Sequence, residues 1–257
     1  MSIWAIADLH LSQTNPATQR PSKTMDIFGE NWINHADRLE SAWNDLVQPN
    51  DTVIVAGDIE WALRPDEALE SLCRIDTWKG SKLLVRGNHD FWWSSKTTSK
   101  VRALLPPSIH LIHNDSVQVE GFNVCGSKGS PVPGAIEWTE QNGKLLNREV
   151  QRLKLSLGTR DVALPTIVAL HYPPFFVSHE GSPYRELIDE TGTVACVYGH
   201  LHGGNASGAP EGVFGRCSYF HVACDALGFR PALIAAGGEV AAPQRARPPL
   251  DGIESRR

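Results

Sequence analysis

A short apolar run leads directly into polar residues in the stretch Leu83-Leu84-Val85-Arg86-Gly87-Asn88-His89-Asp90. An apolar run of this length that ends in a glycine turn is typical of a buried β-strand. The same arrangement occurs at four other places in the chain. Apolar runs at Ile3–Ala7, Val53–Ala56, Ile167–Leu170 and Val194–Tyr198 lead into Asp8-Leu9-His10, Gly57-Asp58, His171 and Gly199-His200-Leu201-His202. Five predicted strands therefore end in side chains that could bind a ligand.

The five polar blocks predict a metal site. Side chains just past the carboxyl ends of the strands in an α/β sheet converge on one crevice. The blocks bring carboxylates, an amide oxygen and imidazoles there, which suit zinc, iron, manganese or magnesium, and they contain no cysteine. Taken singly, Asp8-Leu9-His10 suits a turn or a helix cap, Gly57-Asp58 a turn, and residues 199–202 a pair of core histidines. The order and setting of all five favour the metal site over these structural interpretations.

The order of the blocks resembles the signature of the calcineurin-like metallophosphoesterase superfamily, which runs D-x-H, G-D, G-N-H-D/E, H and G-H-x-H. Every block is present without a substitution between residues 8 and 202. Met25–Trp32 and Asp58–Ala62 are in addition similar to a bacterial branch of predicted phosphohydrolases. Alternating strands and helices alone indicate an α/β protein. The resemblance implies a four-layer α/β/β/α sandwich of two mixed β-sheets flanked by helices.

The resemblance also implies two divalent metal ions, with Mn²⁺ as the expected metal and Fe, Zn or Ni as alternatives. It assigns Asp8, His10 and His202 to the first metal, Asn88, His171 and His200 to the second, and Asp58 to both. A carboxylate can serve two cations because it has two oxygens. The implied reaction is hydrolysis of a phosphodiester or phosphomonoester by in-line attack of a metal-bridging hydroxide.

Two residues of the third block have implied roles other than metal binding. The resemblance implies that His89 points at the leaving group, as a proton donor or as a cation near the phosphate. Asp90 is expected to accept a hydrogen bond from His89 and to fix its tautomer. Five further histidines are interpreted as surface or structural residues: His35, His110, His113, His179 and His221.

Composition indicates one globular domain. The chain has 257 residues, of which 41% are hydrophobic, enough for one large α/β domain over residues 1–236. Residues 237–257 are rich in Pro, Ala and Arg without apolar periodicity, which predicts a disordered tail. Helices are expected over Trp32–Val47, Pro65–Ile75, Ser94–Leu105 and Glu140–Leu157, and a hairpin over residues 117–124.

Hydropathy, charge and cysteine content indicate the cellular compartment of the protein and the kind of partner it binds. The chain has no apolar run of the ~18 residues that a membrane span needs, and its first residues lack the features of a signal peptide. The five scattered cysteines read as reduced core residues, which predicts a cytoplasmic protein. The net charge of −5 disfavours broad nucleic-acid binding. A small-molecule phosphoester is the expected partner, and no feature specifies an oligomeric state.

Two long loops, residues 12–29 and 127–138, are expected to shape the substrate pocket, because loops of this length are commonly functional. Their candidate substrate-binding cations are Arg20, Lys23 and Lys128.

Several alternatives exist within and outside the superfamily. Ser/Thr protein phosphatases carry an arginine shortly after the G-D block, where this chain has Ile59-Glu60-Trp61-Ala62. Nucleases of the fold usually append further domains, for which 257 residues leave no room. A non-catalytic interaction scaffold is the alternative from another class, but the intact His89 and the complete ligand set argue against it. A small-molecule phosphodiesterase or phosphomonoesterase is therefore the leading interpretation.

Overall fold

The five apolar runs that precede the polar blocks all form strands in the computed structural model of this chain. The structure describes residues 1–18, 20–179 and 181–243, with the backbone only at residues 204 and 205. The strands are β1 Ser2–Ile6, β2 Thr14–Asn15, β3 Arg20–Pro21, β4 Thr52–Ala56, β5 Ser81–Val85, β6 Ile109–Leu111, β7 Ser116–Val119, β8 Phe122–Ser127, β9 Thr166–Leu170, β10 Ala195–Tyr198, β11 Gly212–Phe214, β12 Cys217–His221, β13 Ala232–Ala236 and β14 Glu239–Val240. The α-helices are α1 His35–Leu46, α2 Leu69–Asp76, α3 Thr98–Leu104, α4 Gly143–Gly158 and α5 Pro183–Glu190.

The strands build two six-stranded sheets, and both are mixed. The first has the order β14-β13-β1-β4-β5-β6, and the second has the order β11-β12-β10-β9-β8-β7. Strands β1, β4, β5 and β6 run parallel, as do β8, β9, β10 and β12, while β13, β14, β11 and β7 pair antiparallel with their neighbours. Every residue of β4 and of β9 is buried. This burial accounts for their continuous apolar sequence, because central parallel strands are covered on both faces.

Apolar packing divides the molecule into four layers. One cluster lies between the sheets and includes Ile3, Ala5, Ile54, Leu83, Val124, Ile167 and Val197. A second joins the first sheet to α1 and α2 through Ile6, Val53, Leu39, Trp43 and Leu72, and a third joins the second sheet to α4 and α5 through Val168, Cys196, Val150, Leu153 and Tyr184. Neighbouring residues of one strand enter different clusters because side chains alternate between the faces of a sheet. The expected α/β/β/α sandwich is confirmed.

All four predicted helices begin three or four residues later than expected, and local turns and hydrogen bonds explain the difference. A 3₁₀ turn at Glu30–Trp32 precedes α1. A 3₁₀ turn at Glu140–Asn142 precedes α4. Before α2, the Glu67 carboxylate accepts the backbone N–H groups of Leu63 and Arg64 at 3.0 and 3.1 Å. Before α3, the Thr97 hydroxyl accepts the Ser94 N–H at 2.8 Å. Side chains that bond nearby backbone groups compete with helical hydrogen bonds and so favour turns. The predicted hairpin is confirmed as β7 and β8.

The first sheet continues past the expected domain boundary at residue 236. Gly237 and Gly238 turn the chain, and β14 then pairs antiparallel with β13. The remainder of the predicted disordered tail, residues 244–257, lies outside the described residues. Among the described residues, none of the helices has the length and apolar character needed to cross a membrane.

Candidate metal centre

The parallel strands of both sheets end at the same edge of the molecule, and the polar blocks lie at this edge. The Ala7 N–H donates to the carbonyl of Val222 at 2.7 Å, which joins β1 of the first sheet to the chain just after β12 of the second. The His200 N–H donates to the Asp8 carboxylate at 2.9 Å. Residues far apart in sequence are therefore brought together by the contact between the sheets.

One group of possible ligands consists of Asp8, His10 and His202. A donor atom from each lies within 4.8 Å of the others. The His202 Nε2 is 3.6 Å from the Asp8 carboxylate, and the rings of His10 and His202 are 5.5 Å apart between centroids. These are the three residues that the sequence assigns to the first metal alone.

A second group consists of Asp8, Asp58 and His171, whose donor atoms also lie within 4.8 Å of one another. The Asp58 Oδ2 is 3.5 Å from His171 Nε2 and 3.8 Å from His10 Nε2. Asp58 therefore reaches histidines of both groups, as a bridging carboxylate must. Asp8 also belongs to both groups, which the sequence did not indicate.

The other two expected ligands of the second metal lie beside this group. The Asn88 Oδ1 is 2.7 Å from His171 Nε2. The ring of His200 is 5.1 Å from that of His171, but its Nε2 lies 3.2 Å from the carboxylate of Glu137. The structure thus brings all seven expected ligands to one edge, with His200 at the margin of the cluster.

Backbone strain is concentrated in the same residues. Positive φ angles occur at Asp8 (61°), His10 (45°), Asp58 (53°) and His200 (71°), four of the eight non-glycine positions that have them among the described residues. A residue with a Cβ adopts this region rarely, at a cost of order 1–3 kcal/mol in strained cases. Such strain persists where the surrounding structure imposes it, and it clusters at functional sites.

Two motif glycines allow the blocks to approach each other. A Cβ at Gly87 would lie 2.1 Å from the Asp58 Oδ1, and a Cβ at Gly199 would lie 2.3 Å from the Asp8 Oδ2. Real Cβ atoms essentially never come this close to another heavy atom. Glycine at these positions therefore leaves the space that the two carboxylates occupy.

The donor set fits divalent cations. Asp8 and Asp58 are both almost fully buried. Burial raises the pKa of Asp8 well above its usual value, and the nearby Asp58 charge raises it further. Burial lowers the pKa of His10 to about 3 despite the Asp58 charge, and burial together with His200 lowers the pKa of His171. The lowered pKa values keep the imidazoles of His10 and His171 neutral, as metal binding requires, and a cation would offset the cost of burying charged carboxylates at Asp8 and Asp58.

The expected hydrogen bond from His89 to Asp90 is wrong. Both oxygens of the buried Asp90 carboxylate accept other donors. These are the backbone N–H groups of Asp58, Ile59, Glu60 and Gly87, at 2.7–3.2 Å, and the indole N–H of Trp92 at 3.2 Å. The His89 Nδ1 has no hydrogen-bond partner within the described parts of the chain. Asp90 therefore holds the turn that carries Asp58 instead of orienting the His89 ring.

His89 lies at the solvent-facing edge of the cluster of expected ligands. Its side chain is 38% exposed, and its backbone N–H donates to the Asp58 Oδ1 at 2.7 Å. The ring of Trp61 lies 4.5 Å from the His89 ring and stacks on His10 at 4.8 Å. The Lys23 ammonium lies 4.7 Å above the Trp61 ring. Lys23, from the loop of residues 12–29, thus brings a positive charge to this solvent-facing edge of the site.

Sequence reasoning missed Asp225. Its Oδ1 lies 2.9 Å from the Nδ1 of His202, and its Oδ2 accepts the Gly203 N–H at 3.2 Å. Burial opposes a charge on His202, but the bond to Asp225 and the Asp8 charge outweigh it and raise the pKa of His202 to about 9. The signal was available, because Asp225 follows β12, a parallel strand that ends at the same edge.

We expect Asp225→Asn to weaken binding of the first metal by about 10–100-fold, because carboxylates that orient a ligating histidine typically contribute that much. Calorimetric titration of the metal-free protein with Mn²⁺ measures the change. Asp45→Asn, at an exposed position of α1, is the matched control and should leave the affinity unchanged. An unchanged affinity in Asp225→Asn would contradict the orienting role.

Sequence reasoning also missed Glu137, which belongs to the loop of residues 127–138. This loop forms one wall of a groove of about 250 Å³ next to the cluster. The groove is lined by Gly134, Ile136, Glu137, Phe176, His200, Leu201, His202 and Ser207. Its wall combines apolar side chains with two of the expected ligands, so the groove opens directly onto the site.

None of the remaining histidines in the described part of the chain belongs to either donor group. His221 is buried and His110 is exposed. His35 is buried in the first turn of α1, and its Nε2 lies 3.1 Å from the carbonyl oxygen of Leu9. It contacts the backbone between two expected ligands, which is a structural role.

Comparison with known proteins agrees with this geometry. Residues 1–204 match the family model of the calcineurin-like phosphoesterases. The chain belongs to this family, whose members are metal-dependent hydrolases that generally bind two divalent metals. No curated protein sequence matches the chain.

Two solved structures are similar over most of their length. A phosphopantetheinyl hydrolase from Mycobacterium tuberculosis has a TM-score of 0.53 and 17% identity, covering 86% of this chain and 88% of that one. A protein of unknown function from Aquifex aeolicus has a TM-score of 0.47 and 15% identity, covering 90% and 95%. At 17% identity, the first likeness shows a shared fold.

Proposed function

We propose that this protein is a dinuclear-metal phosphoesterase that hydrolyses phosphodiester or phosphomonoester bonds of small molecules. The observation that carries the proposal is the position of Asp58, whose Oδ2 lies 3.5 Å from His171 and 3.8 Å from His10. One buried carboxylate between two sets of imidazoles suits two cations that share it.

In this proposal, seven side chains hold the metals. Asp8, His10 and His202 serve the first metal, Asn88, His171 and His200 the second, and Asp58 both. When bound, two cations would supply Lewis acidity that activates water and neutralises charge on the phosphoryl group. Mn²⁺ is the proposed metal for both positions, since carboxylate, amide and imidazole donors all suit it. Fe, Zn and Ni remain the alternatives for the same donors.

Residues at the solvent-facing edge of the site bind the substrate and donate a proton to it. The partly exposed side chain of His89 can reach an ester oxygen and donate a proton as the bond to the leaving group breaks. Lys23 adds a positive charge near His89, which suits an anionic substrate. Trp61 packs against His10 and His89 and limits their movement.

The groove supports a small substrate. Its volume of about 250 Å³ is enough for part of a small molecule, and its described lining contains no lysine or arginine. A long nucleic acid needs a basic face that tracks its phosphates. The five free cysteines, four of them buried, support the predicted reducing compartment of the cytoplasm.

The direct test is hydrolysis of p-nitrophenyl phosphate and bis-p-nitrophenyl phosphate by the purified protein. The protein is stripped with a chelator and then reloaded separately with Mn²⁺, Fe²⁺, Zn²⁺ or Ni²⁺. We expect no turnover after stripping and recovery with at least one metal, and the faster ester reports the preference between monoester and diester. Two bound metals without hydrolysis of either ester would favour the non-catalytic scaffold instead.

A further inference from the structure

Two of the proposed metal-binding histidines have their second ring nitrogen held by a protein oxygen. The Nδ1 of His171 lies 3.0 Å from the carbonyl oxygen of Ala56. The Nδ1 of His202 lies 2.9 Å from the carboxylate of Asp225. A partner on one ring nitrogen fixes the tautomer and the ring orientation, so that the other nitrogen presents its lone pair to a metal.

His200 has the same arrangement, but its partner comes from a loop. Its Nε2 lies 3.2 Å from the Oε1 of Glu137, which leaves Nδ1 as the ring nitrogen available to a cation. The Glu137 carboxylate is therefore in position to accept the proton on Nε2. The Tyr172 ring lies 4.0 Å from the His200 ring and packs against it.

Backbone hydrogen bonds within the loop of residues 127–138 fix the position of Glu137. The Lys128 carbonyl accepts the backbone N–H of His171 at 3.1 Å, which ties the start of the loop to the second metal position. Further along, the Val132 carbonyl accepts the Ala135 N–H at 3.0 Å, and the Ala135 carbonyl accepts the Trp138 N–H at 3.1 Å. These turns hold the backbone on both sides of Glu137.

We propose that Glu137 is a positioning residue that acts through His200 to set the affinity of the second cation. This inference rests on the proposed function, since it takes His200 as a ligand of that cation. Glu137 also lines the groove of about 250 Å³ that opens onto the site. The same loop residue therefore contacts the space proposed for substrate and orients a metal ligand, which couples the position of the loop to metal occupancy.

The test is calorimetric titration of the metal-free full chain with Mn²⁺, resolving two binding events, in the wild type, Glu137→Ala and Glu137→Gln. We expect Glu137→Ala to weaken binding of the second cation, the one held by His200, by about 10–100-fold. Binding of the first cation should be unchanged. Glu137→Gln should recover part of the loss, because its amide oxygen can still accept from His200 Nε2. Glu140→Ala is the matched control, because Glu140 is exposed and only three residues away.

The outcomes separate this inference from the proposed function. A wild-type protein that binds two Mn²⁺ ions, with Glu137→Ala indistinguishable from Glu140→Ala, would overturn the positioning role alone. A wild-type protein that does not bind two divalent cations would overturn both. Thermal unfolding of the metal-free variants checks for a merely structural role. If Glu137→Ala lowers that melting temperature and weakens both events equally, the positioning role is also overturned.

Discussion

Asp58→Asn is expected to leave at most one tightly bound metal per chain and almost no turnover. Asp58 is buried and lies within 4 Å of imidazole nitrogens from His10 and His171, so the substitution removes a negative charge that serves both cation positions. Metal ions stabilise charge in the transition state by several kcal/mol. At ~1.4 kcal/mol per factor of ten, the turnover should fall by about 10³-fold or more.

Elemental analysis after desalting measures the metal content of this variant, and ester hydrolysis measures its turnover. The asparagine Oδ1 can still accept the N–H of His89, so the turn that carries the residue should remain in place. Asp66→Asn, at a side chain that is 59% exposed, is the matched control and should behave as wild type. Two metals per chain at wild-type activity in Asp58→Asn would disprove the bridging assignment.

His89→Ala is expected to keep both metals and lose turnover. The side chain is not among the proposed ligands, and the bond from this residue to Asp58 is made by the backbone N–H, which alanine retains. General acid catalysis typically contributes ~10²–10⁴-fold. A loss of that order is expected for esters of alkyl alcohols, whose oxygen must be protonated as it leaves.

The dependence on the leaving group tests the chemistry. The loss should be smaller for p-nitrophenyl esters, because p-nitrophenolate leaves without protonation. Turnover of both ester classes by wild type, His89→Ala and His110→Ala measures this, with His110 as an exposed control in β6. Equal losses in both classes would indicate an electrostatic role near the phosphate, and loss of metal would show that His89 supports the ligands.

The strands and the candidate ligands could be predicted because both are local features of the sequence. A buried parallel strand is a short apolar run, and β4 and β9 are buried at every position. The polar block after each strand needs no further information, because the carboxyl ends of parallel strands share an edge. This rule located the residues from Asp8 to His202 and would also have located Asp225.

Hydrogen-bond partners could not be predicted, because they join residues that are far apart in sequence. Asp90 bonds the Asp58 N–H across 32 positions, and the bond between His200 and Glu137 spans 63. The expectation that Asp90 orients its neighbour His89 failed because the turn after β4 offers Asp90 several backbone donors. Adjacency in sequence did not reveal this competition.

The sequence by itself determined the fold class, the edge that carries the site and the set of proposed metal-binding residues. The tertiary structure decided that Asp8 belongs to both donor groups and that Asp90 supports Asp58. It also decided that the carboxylates of Glu137 and Asp225 each contact one ring nitrogen of His200 and His202. The physical reason is that strand formation and side-chain chemistry depend on neighbouring residues, whereas a distance between two side chains depends on how the two sheets pack.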